Sequence, residues 1–523
     1  MSKRPNRYIP WAGHPPGLPT LFFLEAWERF SYYGMRSILV LFLISTPLKG
    51  GFGLSEAQAY LMSAVYTAMV YLTPLFGGWI ADRWLKARKT AFLGGIMIML
   101  GHFSLAMQTM FFFKLGLAFL IIGNGLFKPN VSTMVGELYP EGDKRKDGGY
   151  SIFYSGINWG AMLGIFLCGF LGQKVSWHLG FGAAGIAMLL GLVVVFRRQY
   201  TLELAGLQKG KTALDGGDIA EVVKLAVVCV AVGVLAILAL PLLGMVYDPV
   251  HAFTGKNTSQ MQPQLLFFWR LPLALLLVFV VKFVFRDKTE AVQDQVTGSD
   301  TRFYGIGVVL ATMAFFVAAL ALGQTDGVLT VFADQRVNLN IWGWQMPAAW
   351  VQNFNPATVV ILAPFFARIW ERTKINDFGK QSIGLALMAL NYWLVGLAFT
   401  KSNTMLHASG LAAGADGAPR ISILWLMAPY LAMSMGELCT SAIGLAIVQK
   451  LSPRRMVNLM MAIYLLGSFA ANTIANPILI AYEGREPVLF TLLAKGALIM
   501  SAAWFCLSWI VRTFDNQRDA LRH

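Results

Sequence analysis

The sequence predicts an all-α polytopic membrane protein with fourteen transmembrane helices, two six-helix bundles plus two extra central helices. Composition is the first reason. Of 523 residues, 56% are hydrophobic and only 13% are charged, with a mean hydropathy of +0.58; soluble domains carry about 25% charged residues. The second reason is the number of apolar stretches about long enough to cross a bilayer as helices. They fall near 20–45, 57–81, 90–109, 111–136, 149–173, 178–196, 219–244, 264–286, 304–332, 347–372, 380–400, 421–448, 455–482 and 489–512. The third is the alternation of basic connections: 27 Lys and Arg lie on the side of the N-terminus against 9 on the other. Positive residues stay cytoplasmic, so both termini are expected inside the cell, and the +15 net charge is largely an orientation signal rather than a nucleic-acid surface.

Taken in order, the basic N-terminal segment (Lys3, Arg4, Arg7) precedes a first span too long and too charged for a cleaved signal peptide. That span is the most informative stretch of the chain. Glu25, Glu28, Arg29, Tyr32, Tyr33 and Arg36 recur at i, i+3, i+4, i+7, i+8 and i+11, so they share one helical face. Each charge at mid-membrane costs about 2.5–3.5 kcal/mol on the most lenient scale, so the four must face a cavity or protein interior and compensate one another. The two middle spans, 219–244 and 264–286, carry few polar residues; Lys224 and Lys282 lie near their ends and are expected to snorkel. This pair is accessory and is left out of the span numbers below. The expected divisions are 1–200 for the N-terminal bundle, 201–302 for linkers and accessory pair, and 303–523 for the C-terminal bundle and tail.

Further polar groups interrupt other spans. Tyr66 and Tyr71 lie in span 2, and Asn124 to Asn130 of span 4 includes Lys128 followed by Pro129, whose missing N–H opens the helix ladder beside a cavity. Span 5 carries Tyr150, Tyr154 and Asn158 four residues apart; span 7 offers Gln324, Thr325 and Asp326; span 8 opens with Asn353 and Asn355-Pro356. Span 10 contains Ser434, Glu437 and Ser441, and span 11 Tyr464, Ser468 and Asn472. An isolated intramembrane Glu is a functional candidate by default. The neutral stripes fit pocket lining and helix–helix hydrogen bonding equally well. Cations from the first half and Glu437 from the second would suit a zwitterion in a cavity between them. The cysteines (Cys168, Cys229, Cys439, Cys506) have no ligand spacing and read as buried spectators, with no metal site. Histidines sit mostly at segment ends with no paired Ser or Cys, which speaks against an enzyme.

Gly77-Gly78-Trp-Ile-Ala-Asp82-Arg83 resembles the loop between spans 2 and 3 of the major facilitator superfamily, whose fold is two six-helix bundles. Glu25-Ala-Trp-Glu28-Arg29-Phe30-Ser-Tyr32-Tyr33-Gly34 resembles the ExxERFxYYG signature of the proton-dependent oligopeptide transporters, and Phe153-Tyr154-Ser-Gly-Ile-Asn158-Trp-Gly160 is similar to their second signature, FYxxINxG. The resemblance implies a bacterial-type symporter that imports di- and tripeptides by alternating access, without a cofactor, in the inner or plasma membrane. Its partners would be peptide, protons and lipid, with no nucleic acid; a monomer is assumed. It assigns Glu25, Glu28, Arg29 and Lys128 to proton coupling, and we expect Asp326 to join them. Arg36 and Lys128 would take the peptide carboxylate, and Asn158, Asn355 and Glu437 the amino terminus. Tyr32, Tyr33, Tyr71, Tyr154, Gln324 and Tyr464 complete the substrate-binding set. The competing expectation is a carrier of nitrate, histidine or another amino acid on the same fold. In one departure, Gly323 stands where the family has an acid before Gln324, and Asp326, one turn on, is the expected substitute partner for Lys128.

Overall fold

The computed structural model describes residues 13–207 and 298–520, apart from 82–84, 108, 141–142, 144, 204, 326, 374 and most positions from 452 to 483. The accessory pair, Asp82-Arg83, Asp326 and most of span 11 therefore lie outside the described residues. In chain order the helices are α1 (Gly17–Ile44), α2 (Glu56–Leu72), α3 (Pro74–Ile80), α4 (Lys86–Ala106), α5 (Met110–Glu137), α6 (Lys146–Phe170) and α7 (Trp177–Arg198). They continue with α8 (Gly298–Leu322), α9 (Val328–Arg336), α10 (Phe354–Arg372), α11 (Asp377–Ser409), α12 (Leu424–Leu451) and α13 (Glu486–Ala520). Among the described residues seven helices are long and apolar enough to cross a membrane. The all-α polytopic expectation therefore holds. Its four charges make α1 less apolar, although at 28 residues it extends about 42 Å.

Two spans expected to be continuous are broken. Span 2 divides into α2 and α3 at Thr73-Pro74, where proline starts the new helix and Thr73 Oγ1 donates to Ile121 O at 2.9 Å. Span 7 divides into α8 and α9 across 323–327, bounded by Gly323 and Gly327. Short strands were not foreseen: β1 (Val337–Asn338) pairs in parallel with β4 (Ile421–Ser422), and β2 (Asn340–Ile341) forms a hairpin with β3 (Trp344–Gln345). Cys168 and Cys439 are buried as expected, whereas Cys506 is exposed on α13.

Two compact units emerge. The first comprises Met1–Leu54 and Leu72–Gly244. In it α4 packs on α5 and α7, and α1 on α6 and α7. An apolar cluster of Leu93, Met97, Leu115, Phe119 and Leu126 fills the α4–α5 seam. The α1–α6 seam is closer than side chains allow. A Cβ on Gly160 would stand 2.2 Å from Ala26 O, and one on Gly164 would stand 2.2 Å from Phe30 O. Small residues let two backbones approach in a membrane, and here they fix the height and rotation of the charged helix. Gly160→Leu is expected to lower the thermal midpoint of the purified protein and abolish uptake, because overpacking costs about 1–3 kcal/mol or more. Gly182→Leu, at a position with nothing within 4 Å of a new Cβ, should leave both unchanged.

Arg88, near the start of α4, is 1% exposed. Its Nε donates to Ala205 O at 2.9 Å and Nη2 to Glu203 O at 3.0 Å, while its backbone N–H donates to Gly206 O at 3.0 Å. Gly206 N–H in turn donates to Glu137 Oε2 at 2.6 Å. The segment after α7 is thus strapped to the ends of α4 and α5. Gly206 has φ +73°, a conformation in which glycine is favoured. On the α5–α6 loop, hydrogen bonds from Arg145 hold the Asp143 carboxyl down at about 2, and Arg145 Nη1 donates to Gly13 O at 2.7 Å.

The second unit comprises Ser55–Tyr71 and Met245–His523. Here α11 packs on α12 and α13, and α8 on α12. Ala311, Phe315, Ile447, Val448 and Tyr464 form an apolar cluster. At the start of α2, Glu56 accepts from Gln335 Nε2 at 2.8 Å and from Tyr60 OH at 3.1 Å, joining α2 to α9.

Candidate functional site

The polar face of α1 assembles in the first unit. Glu25, Glu28 and Arg29 are all buried, at 2%, 0% and 2% exposure. Glu28 holds the guanidinium with both oxygens: Arg29 Nη2 donates to Oε1 at 2.6 Å and Nε donates to Oε2. Glu25 Oε1, one turn earlier, lies 3.5 Å from the same Nε. Asn124 on α5 accepts from Nη2 at 3.4 Å. A guanidinium surrounded by acceptors is stable in the low-dielectric interior only because its charge is matched at contact distance.

Tyr32 links this cluster to the next cation. The Arg29 guanidinium stands 4.7 Å from the Tyr32 ring centroid and that of Arg36 5.3 Å, while Arg36 Nη1 donates to Tyr32 OH at 3.0 Å. Tyr33 packs edge-on against Tyr32, with centroids 5.1 Å apart, and lies 5.8 Å from Arg29. Lys128 is half-buried on α5, one turn beyond Asn124, and interacts electrostatically with Arg29, Glu28, Glu25 and Arg36. Pro129, inside α5, cannot donate to the carbonyl four residues back and so opens the ladder beside the lysine. Across Glu25, Glu28, Arg29, Arg36 and Lys128 the three cations exceed the two carboxylates by one formal charge. Such an excess attracts an anionic group. On α6, Asn158 is half-buried and Tyr154 is 50% exposed.

The second unit gathers a smaller set. Asn355, at the start of α10, donates through Nδ2 to Glu437 Oε2 at 2.9 Å and to Ser434 Oγ at 3.1 Å, both on α12. Pro356 follows Asn355 in the first turn of α10, where its missing N–H costs no helix bond. Gln324 lies in the break between α8 and α9, 5% exposed, and its Oε1 has no hydrogen-bond partner among the described residues. Tyr71, at the end of α2, is half-buried. Tyr464 is 1% exposed: its ring stacks on Phe315 at 4.4 Å and its hydroxyl donates to Ser441 O at 3.1 Å.

The stripe containing Tyr464 therefore makes helix–helix contacts. Its last member, Asn472, donates to Ser468 O at 2.8 Å, and its Oδ1 lies 3.1 Å from where a Cβ on Gly323 would stand. A side chain at 323 would have to displace that amide. Asn124 was legible in the sequence, four residues before Lys128 on the same helical face, but only the structure shows it reaching Arg29. Among the described residues no three His, Cys, Asp or Glu side chains are placed to hold a metal ion.

Buried, compensated charges on helices able to span a bilayer mark a functional site within a membrane protein. The chain belongs to the POT family, whose model matches residues 88–200 and 308–483. It is 36% identical over 475 residues to the uncharacterized transporter YclF of Bacillus subtilis, covering 88% of this chain and 87% of that one. It is 31% identical to the peptide transporter YePEPT of Yersinia enterocolitica, over 96% of both chains. A di-/tripeptide transporter of Lactococcus lactis subsp. cremoris is 32% identical, covering 91% of this chain and 92% of that one. Among solved structures, a peptide transporter POT in complex with sulfate superposes with a TM-score of 0.73 at 32% identity, over 96% of both chains. A POT family transporter in complex with 5-aminolevulinic acid gives 0.75 at 28% identity, over 95% of this chain and 96% of that one.

Proposed function

We propose that the protein is a proton-coupled symporter of di- and tripeptides, working by alternating access, with no catalytic chemistry and no cofactor. The carrying observation is the α1 cluster, in which two buried carboxylates share one guanidinium beside a half-buried ammonium. A proton arriving at Glu25 removes a single 3.5 Å contact to Arg29, whereas one at Glu28 removes two shorter ones. Glu25 is accordingly the proton's entry point and Glu28 the residue that keeps Arg29 in place. Arg36 takes the peptide carboxylate, aided by Lys128, and Glu437 with Asn355 takes the ammonium. Tyr32, Tyr33, Tyr71, Tyr154, Asn158 and Gln324 contribute to the binding set, whereas Tyr464, expected among them, is packed between helices and is left out. The Lys128–Asp326 pairing belongs to the same reading.

Both termini are placed in the cytoplasm of an inner- or plasma-membrane protein, by the distribution of Lys and Arg. By span order the divisions are 1–200, 201–302 and 303–523, although by packing Ser55–Tyr71 goes with the second unit. One proton crossing about 150 mV releases about 3.5 kcal/mol, enough for roughly 300-fold accumulation of a neutral zwitterion. The test is uptake of labelled dialanine into proteoliposomes with and without an imposed inward proton gradient. Gradient-dependent accumulation, competed by other dipeptides but not by nitrate or free histidine, is expected. Uptake of one of those solutes with no accumulation of any peptide would overturn the reading in favour of the other substrate class.

A further inference from the structure

The β2–β3 hairpin is an unusual surface for its position. Six consecutive residues, Asn340 to Gln345, are exposed, and three of them are large and apolar: Ile341 at 39%, Trp342 at 101% and Trp344 at 44%. The hairpin is nonetheless well built. Its base is closed by Met346 N–H donating to Leu339 O at 2.9 Å, with Leu339 and Met346 both buried. Asn340 Oδ1 accepts from Gly343 N–H at 2.8 Å across the turn, and Trp344 packs on Trp350 with centroids 5.4 Å apart. The two turn residues are left-handed, Trp342 at φ +50° and Gly343 at φ +86°. That geometry matches the tight two-residue hairpin turn, whose first position favours Asn, Asp or Gly. A tryptophan there is a bulky residue in an unfavoured conformation, held at the tip of a rigid arm.

The chemistry of the arm identifies what it meets. No Asp, Glu, Lys, Arg or His occurs between Arg336 and Arg368, so the exposed tip carries no charge. A tip bathed in water has no use for three large apolar side chains, and a salt-bridged protein contact would need ionic groups. The hairpin follows α9 and leads, through the uncharged chain, into α10, whose Ile361, Phe365 and Ile369 form an exposed apolar stripe at spacing four. An arm between two successive spanning segments lies at the level of the headgroups, where tryptophan is enriched because its ring is amphipathic.

We propose that the β2–β3 hairpin is an interfacial anchor, with the Trp342 tip seated at the boundary between lipid headgroups and acyl chains at the end of α9. Spin labels at Trp342→Cys and, independently, Ile341→Cys, in a chain carrying Cys229→Ser and Cys506→Ser, test this in phosphatidylethanolamine–phosphatidylglycerol proteoliposomes. Collision with oxygen, which partitions into the bilayer, is expected to exceed collision with a water-soluble nickel chelate at both positions. Dominant collision with the chelate would place the tip in water and overturn the proposal. Low collision with both would place it against protein, a second copy or another part of this chain, and overturn it equally. The readout is depth alone, so loss of the peptide-symport reading would leave this result standing.

Discussion

Glu28→Gln is expected to abolish gradient-driven accumulation of dialanine while leaving peptide exchange across the membrane measurable. The expectation follows from the unequal geometry around Arg29. Glu28 supplies two of the contacts to the guanidinium and is completely buried, whereas Glu25 supplies one at 3.5 Å. In the variant, Arg29 retains only Glu25 as a charged partner, and a proton at Glu25 would leave a buried guanidinium uncompensated. The cluster then resists the proton it must carry. Removing one partner of a buried pair costs about 3–5 kcal/mol, so a folding defect has to be separated from a coupling defect. The double variant Glu28→Gln/Arg29→Gln removes both charges and should regain thermal stability without regaining accumulation. Full gradient-driven accumulation in Glu28→Gln would remove Glu28 from the coupling mechanism.

Much of this was legible in the sequence, for a physical reason. Helical periodicity is rigid, so spacing alone placed Glu25, Glu28, Arg29, Tyr32, Tyr33 and Arg36 on one face, and the cost of intramembrane charge required partners for them. The Asn355–Glu437 hydrogen bond is different, since its residues are 82 apart in sequence and meet only because α10 and α12 pack. Periodicity also could not tell which face of a neutral stripe a partner helix would claim. Tyr464 and Asn472 were equally suited to a pocket, and the structure turns them to Ser441 and Gly323. Breaks were hard to see for the same reason: hydropathy is continuous through Thr73 and Gly323, although the backbone is not. The burial of Arg88 could not be foreseen, because a basic residue beside a loop is ordinarily solvated. Here the carbonyls of Glu203 and Ala205 replace the solvent, which no local pattern announces.

Glu437→Gln is expected to weaken peptides with a free amino terminus by roughly 10- to 100-fold in KM while leaving N-acetylated peptides nearly unchanged. The substitution is close to isosteric. Gln keeps a carbonyl oxygen that can accept from Asn355 Nδ2, now at 2.9 Å from the carboxylate, so the α10–α12 contact should survive. What is lost is the negative charge. A hydrogen bond to a charged group is worth about 1.5–3 kcal/mol, which at about 1.4 kcal/mol per tenfold gives the stated range. An N-acetylated peptide has no ammonium and so loses no charge–charge contact, which makes the comparison internal to one variant. Asn355→Ala separates the two roles further. It removes the amide donor while leaving Glu437 charged, so it should disturb the position of the carboxylate and raise KM less than Glu437→Gln does. Equal losses for free and blocked peptides in Glu437→Gln would mean that the carboxylate organises the α10–α12 contact and that the ammonium is bound elsewhere.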